Sequence, residues 1–500
     1  MKIPVPFLGG PISSILLFLA FEPHGHPVLG WFALVPFFHS LQRHREHARM
    51  RFAHGFFFGL VLAATSLAWF LDVFREDFHP SFSSDLWGIL RAVTCWTGMS
   101  LCFGAFALAV GPLLRSPRVL TPLVGIPILW TGLEVLRGPF LPFPGVWISN
   151  WLSLGYALSP HAPEAQPAAL FGVYGLSLAM AASATAFSLL LREVRLERQL
   201  LLGLLGCAFP LVCHGYGRLV LPEKGPSGTV EVAVAAQESA ELEDLIDLTL
   251  SIESQRPELV VWPGIPVLSI DPADGGSDGG AHVSPDLFRD FVRRGRSMVI
   301  AGARVDGGTE DGSPDGRPRR PAPFGGCAVI VDVEGSVVGR LCSETGEPSG
   351  GARGQPAQPF DCPPGRVGLG LGFDFDSPAQ ARKLSSRGAG LLVSVTRDGE
   401  RWGGKGTRQH ASMQRFRALE NRRWLVRSSG TNAFIADPFG RLAFHLKDVE
   451  GIGSHGVEFR QERSFYTRCG WWIEPACLSG TGWILVWALV GWLKRPRRTR

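Results

Sequence analysis

Sulfur and carboxylate lie close together in the second half of the chain. Cys342 is followed by Glu344 and Glu347, and Cys362 lies further along. A thiol beside a carboxylate can act as a nucleophile with its base, provided the thiol has a positioned base or a lowered pKa. Without that help such residues serve as surface or disulfide residues. Cys327, Cys342 and Cys362 could pair in an oxidising compartment, but spacing alone does not say which with which. The nine cysteines include no C-x-x-C or Cys/His ligand spacing, so neither a metal nor a cofactor is expected. Glu134 and Arg137, three residues apart, would share a helix face, and a structural pair is the plainer reading. His410, after Gln409 at the start of a predicted helix, reads as a packed or capping side chain.

The elements that must position these residues divide the chain sharply. Hydrophobic residues make up 46% of it and concentrate at the two ends. Residues 4–217 alternate long apolar stretches, such as 60–71, 102–114 and 168–191, with short loops rich in Pro, Arg and His. A spanning helix needs roughly 20 apolar residues, which gives about seven candidate spans before residue 220 and about eight in all with the stretch 476–493. Lys2 before an apolar stretch could suggest a secretory leader. Glu22, Pro23 and His24 instead lead straight into the next apolar stretch, so an uncleaved first span is expected.

Charge sets the expected orientation, because cytoplasmic loops keep Lys and Arg. QRHREHARMR (42–51), the loop with Arg115 and Arg118, REVRLERQ (192–199) and the KRPRRTR tail all fall on one side of such a bundle. EPHGHP (22–27), the acidic stretch at Glu76 and Asp77, and everything between the last two spans fall on the other. Both termini are therefore expected in the cytoplasm. These flanking residues largely explain the net charge of +5, which excludes a nucleic-acid reading. Trp471, Trp472, Trp483 and Trp492 fit interfacial anchors. A transporter is disfavoured by the scarcity of charge in the spans and the lack of an internal repeat.

From residue 229 to about 459 the periodicity changes to short strands alternating with amphipathic helices. VEVAVAAQ (230–237), ELVVW (258–262), VGLGLGFDF (367–375) and GLLVSV (390–395) read as strands, with helices at 242–254 and 377–387. This is an α/β domain. The segments 272–280 and 306–323, dominated by Gly, Pro, Asp and Arg, read as mobile loops.

The order of elements resembles the apolipoprotein N-acyltransferase family of the nitrilase (carbon-nitrogen hydrolase) superfamily. LAFEPHGHPVLGWFALVPF (19–37), LWTGLEVLRG (129–138) and FGVYGLS (171–177) look like its membrane helices. RQHASMQRFRALENRRWLVRSSG (408–430) with ADPFGRL (436–442) is similar to its closing helix and strand. The resemblance covers nearly the whole chain. It implies a membrane domain at 1–220 with seven spans, an extracytoplasmic nitrilase-like αββα sandwich at 228–460, and a last span at 471–494. It also implies the bacterial inner membrane, with phospholipid, and diacylated lipoproteins or another lipoprotein-processing enzyme, as partners. The implied reaction passes a phospholipid acyl chain through a Cys thioester to the N-terminal diacylglyceryl-cysteine of a lipoprotein.

That chemistry uses a Glu, a Lys and a Cys on three loops, and the matching positions lack all three. The Glu should follow Trp262-Pro263, where Gly264 stands; the Lys should follow GRLC, where Ser343 stands; the Cys should precede Phe373-Asp374, where Gly372 stands. Glycine supplies neither a nucleophile nor a proton acceptor, and triad members act as a unit. The expectation is a catalytically degenerate member that binds lipid or a partner. The alternative is an active N-acyltransferase using displaced residues such as Cys342, Cys362, Glu344 or Glu347. Asp374 and Glu420 could be remnants of an active site, and more plainly hold loops by hydrogen bonds and ion pairs.

Overall fold

The computed structural model describes residues 8–76, 82–140, 150–238, 241–264, 268–270, 283–284, 286–305, 327–342, 358–396, 398 and 403–493. The chain divides into two compact units: Met1–Phe143, Ile148–Leu221 and Cys469–Arg500 in one, Pro144–Trp147 and Pro222–Arg468 in the other.

The first unit is helical. It contains α1 (Gly9–Ala20), α2 (Pro27–Phe32), α3 (Val35–Arg43), α4 (Ala48–Ser66), α5 (Phe70–Glu76), α6 (Phe82–Ala109), α7 (Gly111–Arg115), α8 (Leu120–Phe140), α9 (Ala168–Leu190) and α10 (Leu196–Val220). Among the described residues five helices are long and apolar enough to cross a membrane: Leu86–Arg115, Leu120–Arg137, Ala168–Leu190, Leu196–Val220 and Phe465–Val490. The first expected spans are shorter than the sequence suggests. Proline-bearing turns cut residues 9–43 into helices of 12, 6 and 9 residues, and 12 residues rise only about 18 Å. Leu200, Leu204, Leu211 and Val212 on α10 stay exposed, an apolar surface that water would penalise.

The second unit is built on alternation. In β1 (Val230–Ala236), Val232, Val234 and Ala236 point to one core and Ala233 and Ala235 to another, as a strand buried on both faces requires. Its sheet also contains β2 (Leu259–Val261), β3 (Leu268–Ile270), β4 (Val283–Ser284), β5 (Met298–Val305), β6 (Cys327–Val331) and β7 (Val337–Cys342). β1 and β2 run parallel, as do β2 and β5, while β5, β6 and β7 are successively antiparallel.

The other sheet comprises β8 (Phe360–Cys362), β9 (Gly365–Leu371), β10 (Leu391–Val395), β11 (Trp424–Ser428), β12 (Asn432–Ala436) and β13 (Leu442–Lys447), paired in that order. β14 (Gly451–Val457) returns to the first sheet, antiparallel to β1.

One core lies between the sheets, with Val234, Val261 and Ile300 from one and Leu369, Val393 and Val426 from the other. On the outer face of the first sheet pack α11 (Leu242–Leu250) and α12 (Asp286–Gly295), through Leu245, Phe288 and Val292. On the outer face of the second pack α13 (Pro378–Ser386) and α14 (Gly403–Asn421), through Leu384, Ala411 and Ala418. The layers are therefore helix, sheet, sheet, helix. The short α15 (Phe465–Cys469) then leads into α16 (Ile473–Leu493) of the helical unit, where Trp471, Trp472 and Trp483 are exposed. The Trp492 side chain, Asp77, segments 272–280 and 306–323, and the 494–500 tail lie outside the described residues.

Candidate active site

The site lies where β2, β9 and β10 end. Trp262, directly after β2, is fully buried against Phe288 and Phe291, and its Nε1 donates to Thr249 Oγ1 at 3.0 Å. This anchor fixes the turn that follows, where the Gly264 amide donates to the Thr396 carbonyl at 2.9 Å. β9 ends one residue before Gly372, whose amide donates to the Val395 carbonyl at 2.9 Å. Gly264 and Gly372, far apart in sequence and following strands of different sheets, therefore meet at neighbouring residues of one strand end.

The two positions differ sterically. Gly372 has φ +58°, the left-handed region that favours glycine, and a Cβ there would have nothing within 4 Å. This is a sharp strand-to-helix elbow, the geometry that exposes a nucleophile when one is present. A Cβ on Gly264 would lie 3.0 Å from both the carbonyl carbon and the oxygen of Thr396. Neither glycine offers a side chain for chemistry. Ser343, Glu344 and Glu347 lie outside the described residues.

Among the proposed substitute thiols, Cys342 must be corrected. It forms a disulfide with Cys327, its direct partner across β6 and β7, so it presents no thiol. Cys362, on β8, is half-buried. Burial, and secondarily the neighbouring Asp361 charge, push its thiol up to about 11, which leaves almost no thiolate near neutrality.

Beneath the elbow lies a buried charged network. His410, fully buried on α14, places Nδ1 2.7 Å from Asp398 Oδ2 and Nε2 2.8 Å from Asp376 Oδ1. Burial alone would lower its pKa, but the two carboxylates outweigh it and raise the imidazole to about 9. The arrangement matches a doubly donating imidazolium. Burial opposes ionisation of Asp398, yet Arg427 and His410 hold its pKa below the usual carboxylate value. Arg427 binds Asp398 through Nη2 and donates from Nε to Gln414 Oε1 at 3.1 Å. Gln414 Nε2 reaches the Gly372 carbonyl at 3.4 Å.

Asp374 accepts the Leu371 amide at 3.0 Å, closing the elbow. Burial first, and then the Asp376 charge, push it up to about 6.

The reading of His410 as a packed residue holds, but it does not cap the helix start. Asp376, Asp398 and Arg427 were missed. An arginine inside the apolar run WLVRS was the available signal, since a buried guanidinium demands acceptors. Glu420 is buried with Arg417, 3.3 Å away on the same helix.

In the helical unit, the Glu134 and Arg137 pair does not close to the 4.0 Å of an ion pair. Glu134 Oε1 instead accepts Trp130 Nε1 at 2.7 Å and the Leu154 amide at 2.8 Å.

Comparison with known proteins follows the same two-part division. The sequence profile of the apolipoprotein N-acyltransferase N-terminal domain matches residues 13–186, and that of carbon-nitrogen hydrolase matches 324–459. An apolipoprotein N-acyltransferase of Geobacter metallireducens is 25% identical over 95% of this chain and 93% of its own. One from Azotobacter vinelandii is 30% identical over 76% and 75% respectively. Among solved structures, a carbon-nitrogen hydrolase from Helicobacter pylori G27 is 16% identical with a TM-score of 0.33, covering 48% of this chain and 93% of that one.

Proposed function

Because this chain belongs to the apolipoprotein N-acyltransferase family, we propose that it is a membrane-embedded member that binds lipid or a lipoprotein partner without thioester catalysis. The relatives act on lipoproteins by their names, which makes diacylated lipoproteins and membrane phospholipid the natural ligands to test. One observation supports the reading: Gly264 and Gly372, where the resemblance expects the base and the nucleophile, stand at adjoining points of the β10 end and carry no side chain. The relocated-nucleophile alternative loses support from the Cys342 disulfide and the high pKa of the Cys362 thiol.

The fuller topology belongs to the same proposal. Seven spans occupy residues 1–220, the sandwich at 228–460 lies outside the bacterial inner membrane, and a last span at 471–494 returns the chain to the cytoplasm. The one-sided Arg and Lys loops support this orientation, and so does a disulfide in the sandwich, which suits an oxidising compartment.

The test is acylation of a diacylated lipopeptide by the purified protein in detergent, with a trap for a thioester. The expected result is bound phospholipid, no acylated product and no trapped acyl-enzyme. Product formation would overturn the proposal, and the trapped residue would identify the displaced nucleophile.

A further inference from the structure

Arg137 is 3% exposed within the helical unit. Its Nε, Nη1 and Nη2 are all buried, and none has a hydrogen-bond partner among the described residues. A guanidinium has five N–H donors, and burying it unsatisfied costs several kcal/mol. What surrounds it compensates only in part. Its Cζ lies 5.6 Å from the centre of the Phe103 ring, and Glu134 contributes charge from beyond ion-pairing distance. Arg51 in the same unit shows the ordinary solution: it is equally buried, and it donates from Nε to the Ala107 carbonyl at 3.1 Å and from Nη1 to the Arg45 carbonyl at 2.5 Å. Arg137 is a buried cation with no acceptor among the described residues, and an ionisable residue inside a spanning helix is a candidate for a functional site.

We propose that Arg137 anchors a phosphate-binding site in the helical unit, which takes the phosphodiester of a membrane glycerophospholipid. The proposal deepens the lipid-binding reading and rests on it. The planar fork of arginine matches two oxygens of a phosphate bidentately. Glu134 adds selectivity. Trp130 and Leu154 hold one of its oxygens, while Oε2 has no hydrogen-bond partner among the described residues. A fixed negative charge near the guanidinium tolerates a monoanionic diester better than a dianion, so a lipid phosphodiester is favoured over free inorganic phosphate.

The test uses the full-length protein, freed of lipid in an uncharged detergent. Its unfolding temperature is followed during titration with phosphatidylglycerol, with a diacylglycerol of the same chains, and with inorganic phosphate. Wild type should be stabilised by phosphatidylglycerol, since a ligand of the folded state raises its melting point. Arg137→Met should weaken that binding by about tenfold to a hundredfold, the loss expected for charged hydrogen bonds, and leave any diacylglycerol binding unchanged. Glu134→Gln, which keeps the guanidinium, should tighten phosphatidylglycerol and inorganic phosphate, and it preserves the test if Arg137→Met does not fold.

Equal phosphatidylglycerol binding by wild type and Arg137→Met would overturn the site and leave the lipid-binding reading standing. No lipid binding by folded wild type would remove the lipid-binding reading itself. Arg137-dependent binding of inorganic phosphate without phosphatidylglycerol would overturn the lipid as ligand. Unchanged or weaker phosphatidylglycerol binding by Glu134→Gln would overturn the charge argument and the site with it.

Discussion

The amides of Gly264 and Gly372 end on the consecutive carbonyls of Thr396 and Val395, each at 2.9 Å. Side chains placed at these two positions would be held by one strand end. Both backbone turns are thus tied to one strand end, which makes the consequences of placing side chains on them measurable.

Gly372→Cys should be tolerated and reactive. The open space above the elbow accepts a side chain, and the left-handed φ costs about 1 kcal/mol for a residue with a Cβ. A maleimide should label the variant at residue 372, with a melting point a few degrees lower. No acyl-enzyme should form, because Gly264 still supplies no base; an acyl-enzyme on mass analysis would show that another residue activates the thiol.

Gly264→Ala should destabilise more than its size suggests. The added methyl meets the Thr396 backbone at 3.0 Å, and overpacking against main chain costs about 1–3 kcal/mol. Denaturation of wild type and variant, compared under identical conditions, measures the difference. Equal stability would mean that the turn after Trp262 yields freely.

The His410 network should make stability fall with alkaline pH. The folded pKa of His410 is raised from 6.5 to about 9 by Asp398 and Asp376. Its contribution is therefore complete below about pH 6.5 and is lost as pH rises through about 9, on the order of a few kcal/mol. Thermal melts between pH 6 and 10 should show the decline, and His410→Gln should flatten it while lowering stability throughout. A flat wild-type profile would remove the imidazolium assignment.

The Cys327–Cys342 bond should be present in protein taken from membranes. Seven of nine cysteines are free in the structure, so denatured, unreduced protein should titrate seven thiols and reduced protein nine. The bond joins residues 15 apart, and closing a loop of that size stabilises by about 3 kcal/mol. Cys342→Ser should lower stability by a comparable amount. Nine thiols without reduction would contradict both the bond and the extracytoplasmic placement it supports.

Much of this was readable from local pattern. The alternation in VEVAVAA assigned β1 as a buried strand, because a strand's side chains alternate between faces at a fixed period. The pattern was less able to measure helices. Apolar composition did not mark the breaks at which Pro27 and Pro36 begin new, short helices. Hydrophobicity averages over a window, whereas a proline or a turn acts at one residue.

The sequence by itself determined the two-part organisation and the resemblance to the family, since both are properties of composition and of residue identity in ordered motifs. Only the tertiary structure decided the partners of charge and sulfur. It joined Cys342 to Cys327, placed His410 between Asp376 and Asp398, and turned Glu134 toward Trp130 and Leu154 rather than Arg137. Hydrogen bonds and ion pairs act over a few ångströms between segments that are distant along the chain, and spacing in sequence carries no measure of that distance.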